Sequence, residues 1–183
     1  MNLRLIAIKT VTKLRATGTR ATLSLVAAHL RGVFRHQAAD AFDLRHGTDT
    51  ARTVPPWKYK NDSPSARYGA PYQTVDYQAL EEALKASVRD RNPATLTFVD
   101  IGCGKGRALI IASGLGFKQV IGVEFVHQLA EIARKNMVTA GVANAVVIEA
   151  DAAGYRFPET DMVVYFFASS GKFVGNWWVQ RSG

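Results

Sequence analysis

Apolar residues recur along this chain in two different rhythms. In the first part, Leu23, Val26, Ala27, Leu30, Phe34 and Ala38 fall three and four apart, which makes one stripe on a helix. The spacing predicts helix over residues 1 to about 45. Residues 46 to 74, "HGTDTARTVPPWKYKNDSPSARYGAPYQT", are rich in Pro, Gly, Ser and Asp and read as a long connection. A structureless stretch of that length is uncommon and points to function or mobility. A helix follows in "VDYQALEEALKASVRD", with Leu80, Ala83, Leu84 and Val88 on one face, and Asn92-Pro93 stops it.

Beyond Pro93 the rhythm becomes an alternation of strand and helix. "TLTFVD" reads as a short strand and "GRALIIASG" as a helix ended by Gly114 or Gly116. "QVIGVEF" is the second strand. The second helix, "HQLAEIARKNMVTAG", lines one face with Leu129, Ile132, Ala133, Met137 and Ala140 and carries Glu131 and Lys135 as an i,i+4 pair. "AVVIEA" and "MVVYFF" are the third and fourth strands. All four runs are continuously apolar, as parallel strands buried on both faces are. The fold class is therefore α/β, a doubly wound, mostly parallel sheet of Rossmann-like type with an N-terminal helical extension. Residues 1–74 form the extension and connection, and residues 75–183 the sheet domain.

Charge refines this division. The 183 residues carry a formal net charge of +8. Arg4, Lys9, Lys13, Arg15, Arg20, Arg31 and Arg35 precede the first acid, Asp40. A basic tail on a near-neutral domain accounts for that imbalance, and it suits nucleic acid or another acidic partner. The first twenty residues also somewhat resemble an organelle-targeting segment, although they lack a secretory cleavage pattern. No apolar run reaches the roughly 18 residues of a membrane span. The one cysteine, Cys103, excludes an internal disulfide and a cysteine-built metal site. Its presence as a free thiol fits a reducing compartment such as the cytoplasm.

The candidate chemistry lies in "FVDIGCGKGRALI". Ligands of open α/β sheets sit beyond the carboxyl ends of the strands, and this stretch follows the first strand. Gly102, Gly104 and Gly106 can take positive φ and let a ligand approach the backbone. The helix that follows offers unpaired N–H groups to an anionic part of the ligand. Acids end three successive segments here: Asp100 before the glycines, Glu124 after the second strand and Asp151 after the third. A carboxylate placed like Glu124 can accept both ribose hydroxyl hydrogens, and one like Asp151 an adenine amine hydrogen. Cys103 and Lys105 read as loop fillers. Lys105 lacks the G-x-x-x-x-G-K-[ST] spacing of a phosphate-binding lysine.

The glycines fall as G-x-G-x-G with an acid in front, not as the G-x-x-G-ending dinucleotide fingerprint. "VDIGCGKGR", "VIGVEF" and "VIEADA" resemble the first three motifs of the class I S-adenosylmethionine-dependent methyltransferases, over about residues 95 to 167. "FDLRHGTDT" and "YGAPYQTVDYQALEEAL" resemble the opening segment of bacterial members of that family with no assigned substrate. The resemblance implies S-adenosyl-L-methionine as cofactor and methyl transfer to an unidentified acceptor, protein or nucleic acid among the candidates. It implies Gly102, Gly104 and Gly106 against the methionine and ribose, and Asp100 orienting the loop or the methionine ammonium. By the same resemblance Glu124 holds the ribose and Asp151 the adenine. Tyr68 and Tyr72 are candidates to close over the cofactor, with core packing the other reading.

Two departures qualify the resemblance. Where amine methyltransferases of this fold carry Asn-Pro after the fourth strand, this chain has Ala168 and Ser169. No catalytic residue is therefore assigned. The tail "ASSGKFVGNWWVQRSG" does not read as further strands and helices, so the sheet is expected to be incomplete at the C-terminus, by truncation or a frame shift near Phe167. Two other functions stay open: a non-catalytic adenosyl- or nucleic-acid-binding protein on the same scaffold, and an NAD-dependent oxidoreductase, which the glycine spacing disfavours.

Overall fold

The computed structural model describes residues 40–54, 72, 74–167 and 177–179. Its elements in chain order are α1 (Ala41–His46), α2 (Tyr77–Ser87), β1 (Thr97–Ile101), α3 (Arg107–Gly114), β2 (Gln119–Glu124), α4 (His127–Thr139), β3 (Ala145–Glu149), β4 (Met162–Phe166) and β5 (Trp177–Val179). The amphipathic helix expected before residue 40 and the second half of the long connection lie outside the described residues. The chain from Ala39 onward forms one compact unit by its contacts. Residues 40–54, which composition alone groups with the extension, are therefore part of the same unit as the sheet.

The strands lie in the order β3-β2-β1-β4-β5. β1 pairs in parallel with both β2 and β4, and β2 with β3. The chain moves outward from β1 through β2 to β3 and then returns to the other side of β1. That reversal makes the rim above β1 and β4 the topological switch point, where such sheets bind ligands. The four expected parallel strands are all present. The expectation of no further strand is corrected: the backbone of β5 pairs antiparallel with β4, in the register Met162 to Val179. Three residues in a Trp-Trp-Val run are too short for the length-based signals to single out.

Alternation along the strands separates two cores. Phe98, Val120, Val163 and Tyr165 face one side and pack with Leu80 and Leu84 of α2, Leu109 of α3 and Met137 of α4. Val99, Ile121, Val123, Met162 and Val164 form the core of the opposite face. Phe98, Val99, Val120 and Val163 are wholly inaccessible to solvent. Each such side chain contributes about 1.5–3 kcal/mol by leaving water. The apolar runs of β1, β2 and β4 thus reflect burial on both faces, whereas β3, at the sheet edge, is only partly buried and exposes Val146, contrary to the expectation for all four strands.

Local signals set the helix ends. Asp76 caps α2 by accepting the Ala79 N–H at 2.9 Å. Gly141 follows α4 with φ at 69°, a conformation that favours glycine. On α4, Glu131 pairs with Arg134 one turn on, and not with Lys135 as the i,i+4 spacing suggested. Arg134 lies closer because it also reaches across to the Val147 carbonyl of β3.

Gly122, in the middle of β2, is required for contact rather than for backbone freedom. A Cβ there would lie 2.6 Å from Leu109 Cδ1 and 2.7 Å from Cys103 Sγ. The close approach lets α3 and the loop before it settle onto the sheet. Gly122→Ala is expected to cost about 1–3 kcal/mol by overpacking and to lower Tm by roughly 3–10 °C. Thermal unfolding checks this, and an unchanged Tm contradicts the packing described.

Candidate functional site

The loop from Gly102 to Gly106 caps the carboxyl end of β1. Its three glycines have φ of 75°, 54° and 85°, all in the left-handed region. Two of them are needed for further reasons: a Cβ on Gly106 would stand 2.8 Å from Cε of Met137, and one on Gly104 would be closer still to a neighbour. A Cβ on Gly104 would stand 2.4 Å from Cε2 of Tyr72, whose ring packs on the loop. At Gly102, by contrast, nothing lies within 4 Å of that position. The open cradle is therefore at Gly102.

Glu124 ends β2, one step beyond the pairing of Ile101 with Val123, so it stands beside the start of the loop. It is buried, and its two carboxylate oxygens accept the Gly104 N–H at 2.8 Å and the Val126 N–H at 2.9 Å. Carboxylate oxygens have about two lone-pair sites each, so capacity remains for ligand hydroxyls. Asp100 is buried on the same face of the sheet, opposite Gly122. Burial raises the Asp100 pKa well above the ordinary value, and the neighbouring Glu124 raises it further. Burial also raises Glu124, partly offset by the N–H groups it accepts. Among the described residues neither acid forms an ion pair.

Asp151 lies beyond the end of β3, partly exposed, and accepts the Ala153 N–H at 3.0 Å in a short turn. The structure thus brings Asp100, Glu124 and the three glycines together at the end of β1 and β2, with Asp151 following the adjacent strand. α3 begins directly after Gly106 with no side chain capping its first N–H groups. Cys103 is buried, and burial first, then Asp100 and Glu124, push its thiol pKa well up. It stays protonated and is no nucleophile. Ala168, Ser169 and Tyr68 lie outside the described residues, and these contain no group of side chains fit to hold a metal.

Sequence reasoning missed the neighbours of this loop. Lys105 and Arg107 are buried, at 1% and 3% exposure, and Lys105 is not the filler its position suggested. Lys105 reaches Asp49 at 3.2 Å and Arg107 reaches Asp40 at 2.7 Å, both in the segment read as extension or connection. The run of Asp and Thr in "DLRHGTDT" signals local side-chain-to-backbone bonds, but no local pattern signals these partners more than fifty positions away.

Residues 98–175 match the family described as "Methyltransferase domain". No curated protein matches the chain at a significant level. Among solved structures, a SAM-dependent methyltransferase from Thiobacillus denitrificans, in complex with S-adenosyl-L-homocysteine, is 27% identical, with a TM-score of 0.42 over 50% of this chain and 37% of that one. An RNA methyltransferase from Salinibacter ruber, also with S-adenosyl-L-homocysteine, is 23% identical, with a TM-score of 0.44 over 53% of this chain and 63% of that one. A protein-L-isoaspartate O-methyltransferase is 20% identical, with a TM-score of 0.45 over 62% of this chain and 40% of that one. The chain spans less than two thirds of the length of each.

The two buried acids beside the glycine loop make the stability of the fold depend on pH in a defined direction. Asp100 and Glu124 have raised pKa values in the folded state, so the fold holds protons that the unfolded chain has released. Their contribution to stability therefore falls as pH rises from the ordinary carboxylate range, about 4, through the raised values. Glu124→Gln is expected to flatten that fall. Denaturant unfolding of both proteins between about pH 5 and 8 checks it. Equal slopes contradict a raised Glu124 pKa in the folded state.

Proposed function

We propose that this chain binds S-adenosyl-L-methionine at the glycine loop and transfers its methyl group to an acceptor. The observation that carries the reading is the pair of buried carboxylates with no cation paired to them among the described residues, beside an open cradle at Gly102. Two adjacent buried acids cost free energy when ionised, and a cation bound beside them recovers it. S-adenosylmethionine carries an ammonium and a sulfonium, whereas NAD carries a pyrophosphate that the same acids would repel. The residues present fit the cofactor. Asp100 suits the ammonium, Glu124 the ribose hydroxyls and Asp151 the adenine amine, with Gly102, Gly104 and Gly106 against the methionine and ribose. The uncapped start of α3 suits the methionine carboxylate.

When bound, the cofactor supplies a methyl group on a sulfonium, with a good leaving group already in place. The protein's part is to bind, orient and exclude water from the acceptor. The acceptor, and any base that takes its proton, belong to the rim above β4. Protein, nucleic acid and small molecules all remain candidates, and the basic residues before Asp40 favour an acidic partner. We place the protein in a reducing compartment, the cytoplasm, because its one cysteine, Cys103, leaves no internal disulfide to be formed. Among the described residues no helix is long and apolar enough to cross a membrane. The division into an extension, residues 1–74, and a cofactor domain, residues 75–183, belongs to this reading, with residues 40–54 folded back onto the domain.

A second reading is a protein that binds the adenosyl group without transferring it, favoured by Ala168 and Ser169 in place of Asn-Pro. Calorimetry with S-adenosylmethionine, S-adenosylhomocysteine and NAD tests the binding step common to both. The expected Kd for the first two is micromolar, about 1–100 µM, weakened at least ten-fold (about 1.4 kcal/mol) by Glu124→Ala. Affinity for S-adenosylmethionine is expected to rise with pH as the two acids lose their protons. NAD binding, or no binding of the adenosyl ligands, contradicts the proposal.

A further inference from the structure

The glycine loop is held at a second set of points, upstream of the residues that match the methyltransferase domain. Asp43, in α1, is buried and accepts the Thr48 hydroxyl at 2.8 Å, the Thr50 hydroxyl at 2.6 Å and the Ala51 N–H at 2.7 Å. It also accepts the Thr50 N–H, at 2.8 and 2.9 Å from its two oxygens. Burial would raise its pKa, but these donors outweigh burial and hold it below the ordinary carboxylate value. The segment from Thr48 to Ala51 is thereby wrapped around one carboxylate.

From that wrapped segment, contacts run to the loop. Thr50 Oγ1 accepts the Arg107 Nε–H at 2.8 Å, and Asp49 meets Lys105 at 3.2 Å. Tyr72, whose ring lies on Gly104, donates its hydroxyl to the Thr50 carbonyl at 2.6 Å. Asn136 of α4 donates to the Lys105 carbonyl at 2.9 Å and accepts the Asp49 N–H at 3.0 Å. Arg107 also bonds Asp40 and the Val75 carbonyl and lies over the Phe42 ring.

The fold alone does not call for this arrangement. Arg107 is the first residue of α3, where a cation opposes the helix dipole. A buried guanidinium is costly unless fully paired. What the arrangement provides is a fixed loop: Glu124 holds the Gly104 N–H, and the 40–51 segment holds the side chains of residues 105 and 107.

We propose that Arg107 is a positioning residue for the donor site, which together with Asp43 and Thr50 holds the glycine loop in the shape that keeps Gly104 on Glu124 and Gly102 open. Donor affinity then depends on residues 40–51, outside the matched domain. The affinity part of this inference rests on the donor reading above; the brace itself does not.

Amide hydrogen exchange and calorimetry with S-adenosylhomocysteine, on the full chain, test both parts. Arg107→Lys keeps the charge and loses the Nε–H donor and the planar fork. Thr50→Val removes only the hydroxyl and serves where Arg107→Lys fails to fold. Val88→Ala, in the core away from the loop, controls for lost stability. Arg107→Lys is expected to speed exchange of the Gly104 and Gly106 amides at least ten-fold, leave those of Val99 and Val123 unchanged and raise Kd at least ten-fold. Val88→Ala is expected to lower Tm without either effect. Exchange at Gly104 and Gly106 no faster than in Val88→Ala overturns the brace. Faster exchange with unchanged Kd overturns its role in donor binding. If the wild-type chain has no affinity for S-adenosylhomocysteine, the donor reading and the affinity part fall together, and the exchange result alone decides the brace.

Discussion

Glu124 accepts backbone hydrogens from Gly104 and Val126, and the site depends on that one carboxylate. It ties the loop after β1 to the end of β2, across the register of two parallel strands. The tie requires burial, which raises the pKa of the acid, and it places Glu124 beside a second buried acid, Asp100. A protein gains no stability from two uncompensated carboxylates side by side.

The surrounding structure serves to keep that geometry. Gly122 lets Cys103 and Leu109 approach the sheet, which seats the loop from below. Gly104 makes room for the Tyr72 ring, and the ring is anchored in turn through Thr50. Arg107 and Lys105 fasten the far end of the loop to a short wrapped segment. The glycines supply the left-handed turns, but a chain of hydrogen bonds and ion pairs makes the loop a single shape. Preorganisation of this kind reduces the cost of ordering a site when its ligand arrives.

The sheet was legible in the sequence because β1, β2 and β4 are buried on both faces. Continuous runs such as "TLTFVD" and "QVIGVE" admit few other readings once helices of opposite periodicity lie between them. The acids at the strand ends were legible for the same reason, since the strand ends were. The brace was not. Asp49 and Thr50 lie more than fifty positions before Lys105 and Arg107, the side chains they meet, and nothing in local periodicity reports a contact at that distance. Lys105 and Arg107 looked like ordinary polar residues because burial of a cation depends entirely on the partner brought to it. The short β5 was missed because three residues carry too little pattern to separate strand from coil.

The most direct test of the central claim is a titration of isotope-labelled protein with S-adenosylhomocysteine, followed by the amide resonances of the glycine loop and of Glu124 and Val126. The account predicts saturable shifts concentrated at Gly102, Gly104, Gly106, Glu124 and Val126, with the strand amides distant from the rim unmoved. Saturable shifts centred elsewhere on the unit, with the loop amides unchanged, would contradict it.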